Sequence, residues 1–221
     1  MPTDENAIVL DYLAEGRADS SVPGYKRERR VAQVLGIDYF SLLEISIRED
    51  DSAAQGDHIY IGKGVRDKVH HIIRRLNHSD LTSTAKVELE YVLEKLVKTN
   101  EAKFVKFFNE CGSLTMRLHR LELLPGVGKK HMWDITKARS VKKFESFADI
   151  AERVKLLPGP EKLIVKRIIW ELKGEDDKLK PIKYKIFVGA QLLPGEAEKP
   201  TAKAEEKESG AKPAENPAES E

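Results

Sequence analysis

The chain has 221 residues, room for one or two ordinary domains, and a formal net charge of +1. It has no run of about 18 apolar residues, which excludes a transmembrane helix. The polar, acidic start Met1 to Asn6 does not read as a signal peptide. The single cysteine, Cys111, excludes an internal disulfide framework and a thiolate zinc site. A soluble, cytoplasmic protein is expected, with no membrane partner.

The small net charge conceals an uneven distribution. Residues 1–61 carry net −6 and residues 62–143 carry net +9. Residues 144–193 carry net +2 and residues 194–221 net −4. Clustered positive charge is the electrostatic footprint of a phosphate-binding surface. Lys86, Lys95 and Lys98 alternate with Glu88, Glu90 and Glu94, and solvate a helix face.

In chain order, the first part reads as strands. Ala7-Ile8-Val9-Leu10 is a short apolar run. Arg30 to Gly36 follows a polar link at Ser20 to Gly24. Tyr39 to Ile47 alternates with the period of a half-buried strand. His58 to Ile61 is another strand, ended by Gly62-Lys63-Gly64, and Val69 to Arg75 reads as a fifth strand in preference to a helical turn. Five short strands with this spacing predict a small OB-like β-barrel over residues 1–80. His70 and His71 are adjacent and should point to opposite faces of their strand. The remaining histidines show no ligand spacing, so no metal site is expected.

The helical region is expected over residues 81–174. A helix begins near Leu81-Thr82-Ser83-Thr84, where a hydroxyl can cap its first N–H groups. Ala85, Leu89, Val92, Leu93, Leu96 and Val97 form its apolar stripe, which Phe104, Val105, Phe107 and Phe108 extend to about Asn109. Leu114, Leu118, Leu121 and Leu124 then recur at helical spacing. Leu124-Pro125-Gly126-Val127-Gly128-Lys129-Lys130 follows, and Met132, Ile135 and Thr136 begin another helix. This is the pattern of a helix-hairpin-helix nucleic-acid-binding motif over residues 114–139.

Pro125 stops the first helix, and the two glycines allow positive φ and close backbone approach. Such a turn can aim the amides of Gly126, Val127 and Gly128 at one phosphate, with Lys129 and Lys130 adding charge. The next segment echoes it at a spacing of 33 residues. Leu156-Leu157-Pro158-Gly159-Pro160 lies between helical patterns, a degenerate repeat over residues 147–173. Glu161 stands opposite Gly128, so the repeat reads as a structural partner. Trp133 and Trp170 hold similar places in the two halves and read as core. A last strand over residues 183–189 should return to the N-terminal sheet. Residues 194–221 are Glu, Lys, Ala and Pro without an aromatic, and should be a disordered tail. The fold class is therefore α+β.

The strings Tyr39-Phe40-Ser41-Leu42-Leu43-Glu44, Ile59-Tyr60-Ile61-Gly62-Lys63-Gly64, Leu81-Thr82-Ser83-Thr84-Ala85-Lys86 and Arg117 to Lys130 together resemble an archaeal family, domain of unknown function 655. The resemblance covers roughly residues 5–190. It implies a nucleic-acid-binding protein with an OB-like barrel and a helix-hairpin-helix region. The family's gene neighbourhoods imply an RNA-related task in ribosome biogenesis, translation or transcription. No activity is carried over from it.

A second contact surface is expected at the basic turn Gly62 to Lys68, from Lys63, Arg66 and Lys68 together with Arg74 and Arg75. Tyr39, Phe40 and Tyr60 are its aromatic candidates, with Phe40 assigned to the core. His119 and His131 flank the hairpin, where protonated rings could meet phosphate. The reading is of a non-catalytic protein that binds RNA or DNA, without a cofactor beyond a monovalent cation on the hairpin carbonyls. One alternative is a protein-interaction module docking on ribosomal or transcription machinery. The other is a nucleic-acid-processing enzyme. A glycosylase would need a carboxylate downstream of the hairpin, and Asp149 is the one aspartate near that position.

Overall fold

The computed structural model describes residues 3–16 and 29–189. The expected tail over 194–221 lies outside these residues. Five strands form where the apolar runs place them: β1 (Asn6–Leu13), β2 (Val31–Gly36), β3 (Leu42–Ile47), β4 (His58–Tyr60) and β5 (Val69–Arg75). They make one antiparallel sheet in the order β4-β1-β2-β3-β5. No strand pairing joins β4 to β5 among the described residues, so the sheet is open there.

Along the central strands the side chains alternate between two cores, while the edge strand β5 keeps several residues exposed. Ile8, Leu10, Leu35 and Leu42 point into a core shared with the helices. Ala7, Val9, Ala32, Val34, Leu43, Ile45 and Val69 point the other way, into a second core built from the sheet and its loops. A sheet can fill such a core from its own residues only by curling around it. Hence β2 and β3 are buried throughout, where a half-buried pattern was expected of β3. Asp4 fastens the β2–β3 turn by accepting hydrogen bonds from the Asp38, Tyr39 and Ser41 amides and from the Ser41 hydroxyl.

Buried polar side chains join sheet to helix. Gln33 of β2 accepts from the Thr82 amide and donates to the Asp80 carbonyl. The Thr82 hydroxyl donates to Asp11 at 2.6 Å and accepts from the Ala85 amide, capping α1 (Ser83–Thr99) as the sequence suggests. The stripe from Ala85 to Val97 is buried. The long helix expected to run to Asn109 is broken at Asn100. There the backbone leaves helical geometry and the side-chain amide bonds the Leu96 carbonyl, before α2 (Glu101–Glu110) resumes.

Two further expectations are corrected. Residues 114–124 form no α-helix; they fold as β6 (Ser113–Thr115), β7 (Leu118–His119) and a 3-10 turn over Arg120–Leu123. The leucines satisfy a helical period, but the β6–β7 pairing takes the backbone bonds and only one turn remains. The hairpin's second helix does form, as α3 (Lys129–Val141). The degenerate repeat is the half with two α-helices, α4 (Phe147–Arg153) and α5 (Pro160–Lys173).

Residues 183–189 are not a strand. The Ile186, Phe187 and Val188 amides each donate to the Glu171 carboxylate at 2.9 Å, so their N–H groups face a side chain instead of a neighbouring strand. Phe187 is fully buried against Phe104 and Phe107. The segment still returns to the sheet at one point, where the Gly189 amide donates to the Tyr39 carbonyl.

Glu171 in turn pairs with Arg167 at 2.8 Å, both on α5 and both buried. The Arg167 guanidinium also donates to the carbonyls of Leu123 and Tyr184. Removing one partner of a buried pair strands the other's charge. Arg167→Met should therefore lower the unfolding free energy by about 3–5 kcal/mol, read from urea denaturation.

Two histidines make a pH prediction. Burial, then the charges of Lys173 and Lys86, holds the His78 imidazole below its ordinary value. Burial, then Arg139, does the same for His119, against a smaller opposing pull from Glu122. The folded protein resists protonating these rings and the unfolded chain does not. Their contribution to stability is full above the unfolded pKa of about 6.5 and is lost as pH falls through it. The urea midpoint should drop from about pH 7 to about pH 5. A His78→Gln, His119→Asn chain should have a flatter profile; an unchanged slope would assign the loss to other groups.

Candidate nucleic-acid interface

The hairpin is anchored from below and open above. Pro125 and Val127 are buried in the helical core, while Gly126, Gly128, Lys129 and Lys130 are exposed. The Val127 amide donates to the Leu124 carbonyl at 3.1 Å and closes the turn. That N–H is spent, which removes Val127 from the amides expected to face a phosphate. Gly126 takes φ +76°, a conformation that favours glycine. Gly128 is extended and stands before α3 as its cap, but has no side chain to bond the free amides.

The first turn of a helix leaves its N–H groups without intrahelical partners and carries partial positive charge. In α3 no acidic residue occupies that turn. Lys129 and Lys130 make no ion pair among the described residues. A Cβ on Gly128 would touch nothing within 4 Å.

The repeat half is built oppositely. Pro160 starts α5 without an N–H to offer. Glu161 lies in the first turn of α5, and its carboxylate would sit 2.8 Å from a Cβ on Gly159. The positive end of α5 is thus covered by its own side chain. The two turns are neighbours: a Cβ on Gly126 would lie 3.9 Å from the Pro158 ring.

Beside the first hairpin, a cavity of about 460 Å³ is lined by Leu123 to Gly128, Arg167, Trp170 and Asp176. Two carbonyls at the hairpin and its entry face protein groups: Leu123 accepts from Arg167 at 3.0 Å, and the Gly126 oxygen lies 3.3 Å from the His131 ring. One ring nitrogen of His119 is committed to the fold: Nδ1 accepts from the Leu121 amide and caps the 3-10 turn.

The second surface keeps some of its expected residues. The turn Gly62 to Lys68 links β4 to β5, and the Tyr60 hydroxyl accepts from the Gly64 amide. Arg66 donates to the Gly62 carbonyl and shapes the turn. Lys63, Arg66 and Arg75 line one cavity of about 450 Å³ with Tyr60 and Ile72, between the open edges of the sheet. Glu5 also lines it. Lys68 and Arg74 do not line it; they pair with Asp57 at 3.4 Å and Glu44 at 2.8 Å. Phe40 is buried, as assigned, and Tyr39 is half-buried beside a neighbouring cavity.

Other basic residues hold the fold. Arg139 donates to the Phe108 and Cys111 carbonyls at the end of α2. Arg153 donates to the Ala138 and Lys142 carbonyls at the end of α3 and pairs with Asp149 at 3.1 Å. Asp149 also accepts from the Glu145 and Arg153 groups that stabilise its charge, and is committed to that corner. Cys111 is buried, and burial pushes its thiol up to about 11, against the opposing pull of Arg139.

His70 and His71 do not diverge as expected. Their Nδ1 atoms lie 2.7 Å apart, because the β3–β5 register shifts between Ser46 and Ile47 and breaks the alternation at that point. Among the described residues, no three His, Cys, Asp or Glu side chains group to hold a metal ion. No helix there is long and apolar enough to cross a membrane.

The structure also exposes a residue assigned to the core by sequence. Trp133, on the second turn of α3, is 65% exposed. Trp170 is half-buried and donates to Asp177. The signal for Trp133 was present in its spacing: it falls four residues after Lys129 and four before Lys137, on a row that carries no core residue.

Comparison with known proteins places the chain in a family. The model of the family described as protein of unknown function (DUF655) matches residues 3–189. Uncharacterized protein MJ0038 of Methanocaldococcus jannaschii is 46% identical over 182 residues, 82% of this chain and 78% of that protein. The crystal structure of Af1531 from Archaeoglobus fulgidus, a DUF655 family structure, is 50% identical with a TM-score of 0.72. That match covers 84% of this chain and 99% of the other. The chain belongs to the DUF655 family.

Proposed function

We propose that this member of the DUF655 family is a cytoplasmic nucleic-acid-binding protein without catalytic activity, serving an RNA-related process. The observation that carries the reading is the start of α3, which has an uncapped positive end, no acidic residue in its first turn and two exposed lysines. A phosphate would sit against the Gly128, Lys129 and Lys130 amides beside the exposed Gly126, with both ammonium groups in reach. Gly128 supports this, since neither φ nor packing requires a glycine there and the missing side chain leaves room for close approach. In this reading the α3 hairpin is the working half of a helix-hairpin-helix pair. The α5 hairpin is its scaffold, with Glu161 in the place a phosphate would take.

The sheet contributes a second contact. Its strand order and open β4–β5 side fit a partly open OB-like barrel, whose loops and edges would bind a strand. Lys63, Arg66 and Arg75 around Tyr60 supply charge and a ring for that purpose. A monovalent cation at the hairpin would have to compete for carbonyls with Arg167 and His131.

Binding carried by phosphate contacts weakens steeply with salt, because neutralising each phosphate releases counterions. Titration of the full chain with labelled RNA and DNA at several salt concentrations tests this. The Lys129→Glu, Lys130→Glu chain should bind much more weakly, with a log K against log salt slope shallower by about 2. Equal binding and equal slopes in both chains would overturn the assignment. A Lys63→Glu, Arg75→Glu chain tests the second contact in the same titration.

A further inference from the structure

We propose that Trp133 is a stacking platform for an unpaired base, so that the strand gripped at the hairpin is single-stranded. The inference rests on the nucleic-acid reading above and specifies its substrate class. Tryptophan is usually largely buried, and an exposed ring on a rigid element needs a reason. Here the ring stands on a regular helix, not on a loop tip.

Its surroundings say what it faces. The residues three and four positions away on the helix surface are Lys129, Lys130, Thr136 and Lys137, with no acid among them. Asp134 is the acid of this helix; it is half-buried and lies about 100° around the helix from Trp133. Val141 continues the exposed row beyond Lys137. Tyr91 on α1 is just as exposed, but its corresponding neighbours are Val87, Glu88, Glu94 and Lys95. An aromatic ring among lysines complements a polyanion that also carries π faces; one beside two glutamates does not.

Position adds to this. Trp133 lies four residues beyond Lys129, about 6 Å along the helix axis. Helical side chains lean toward the N-terminus, so the ring leans over the turn where the phosphate would sit. One nucleotide can thus place its phosphate on the hairpin amides and its base on the indole. A base inside a duplex is stacked on its neighbours and cannot take that position without leaving the helix.

The test is a titration of the full chain with a single strand of about 12 nucleotides, as RNA and as DNA, and with the matching duplexes. The chain has two tryptophans, so Trp170→Phe leaves Trp133 as the only indole reporter. Its emission should be quenched as either single strand binds. Trp133→Ala should weaken single-strand binding roughly 5- to 100-fold, Trp133→Phe should recover most of it, and duplex binding should be the same in all three. The tighter of the RNA and DNA arms identifies the sugar.

Wild-type affinity in the Trp133→Ala chain, or unchanged emission while a strand is bound, would overturn the proposal. The hairpin reading would survive that result if Lys129→Glu, Lys130→Glu still lost binding. Absence of binding by any nucleic acid would remove both.

Discussion

The buried Arg167–Glu171 pair is the constraint on which the helical half depends. One face of the pair reaches the Leu123 carbonyl just before the hairpin; the other reaches the Tyr184 carbonyl and three successive amides at Ile186 to Val188. Two charges taken out of water are costly, and they are tolerated because each is hydrogen-bonded several times over. The pair thereby fixes the entry to the hairpin relative to α5 and brings the C-terminal segment over the core. Phe187 then seats against Phe104 and Phe107, which closes the core above α2. Position of the hairpin and closure of the core are thus decided by the same two side chains.

The two hairpin turns show how similar sequences can be given unlike surfaces. Both use a leucine-proline-glycine string, and they lie against one another. The differences are small in sequence. Glycine at 128 leaves the α3 amides bare, while glutamate at 161 and proline at 160 cover or delete the corresponding amides of α5. The asymmetry leaves one of the two helix starts uncovered. It also spares the protein two adjacent positive helix ends with no counter-charge.

Much of this was legible from residue pattern. The five strands, the Thr82 cap and the buried stripe of α1 follow from period and capping chemistry, which act locally. The failures arise where a nonlocal bond overrides a local period. Leu114 to Leu124 keep helical spacing, yet β6–β7 pairing claims the backbone. Residues 183–189 have the composition of a strand, yet a carboxylate 15 to 17 residues upstream captures the amides of Ile186, Phe187 and Val188. His70 and His71 lose their alternation to a register shift that leaves His70 as an extra residue opposite β3. Trp133 was assigned inward because large aromatics usually are; its row of lysines was the better guide. Of the candidate basic residues, sequence could not sort Lys63 and Arg75 from Lys68 and Arg74. That separation depends on where Asp57 and Glu44 lie in space.

Burial of β2 and β3 on both faces limits what this half of the molecule can offer to a ligand. One side is claimed by α1 and its neighbours, the other by the sheet's own curl. No broad β surface is left to read a partner strand by strand. A ligand of this half would have to meet the perimeter: the open edges of β4 and β5 and the turns that join strands. A change of specificity there can come from the turns alone, with the interior left as it is.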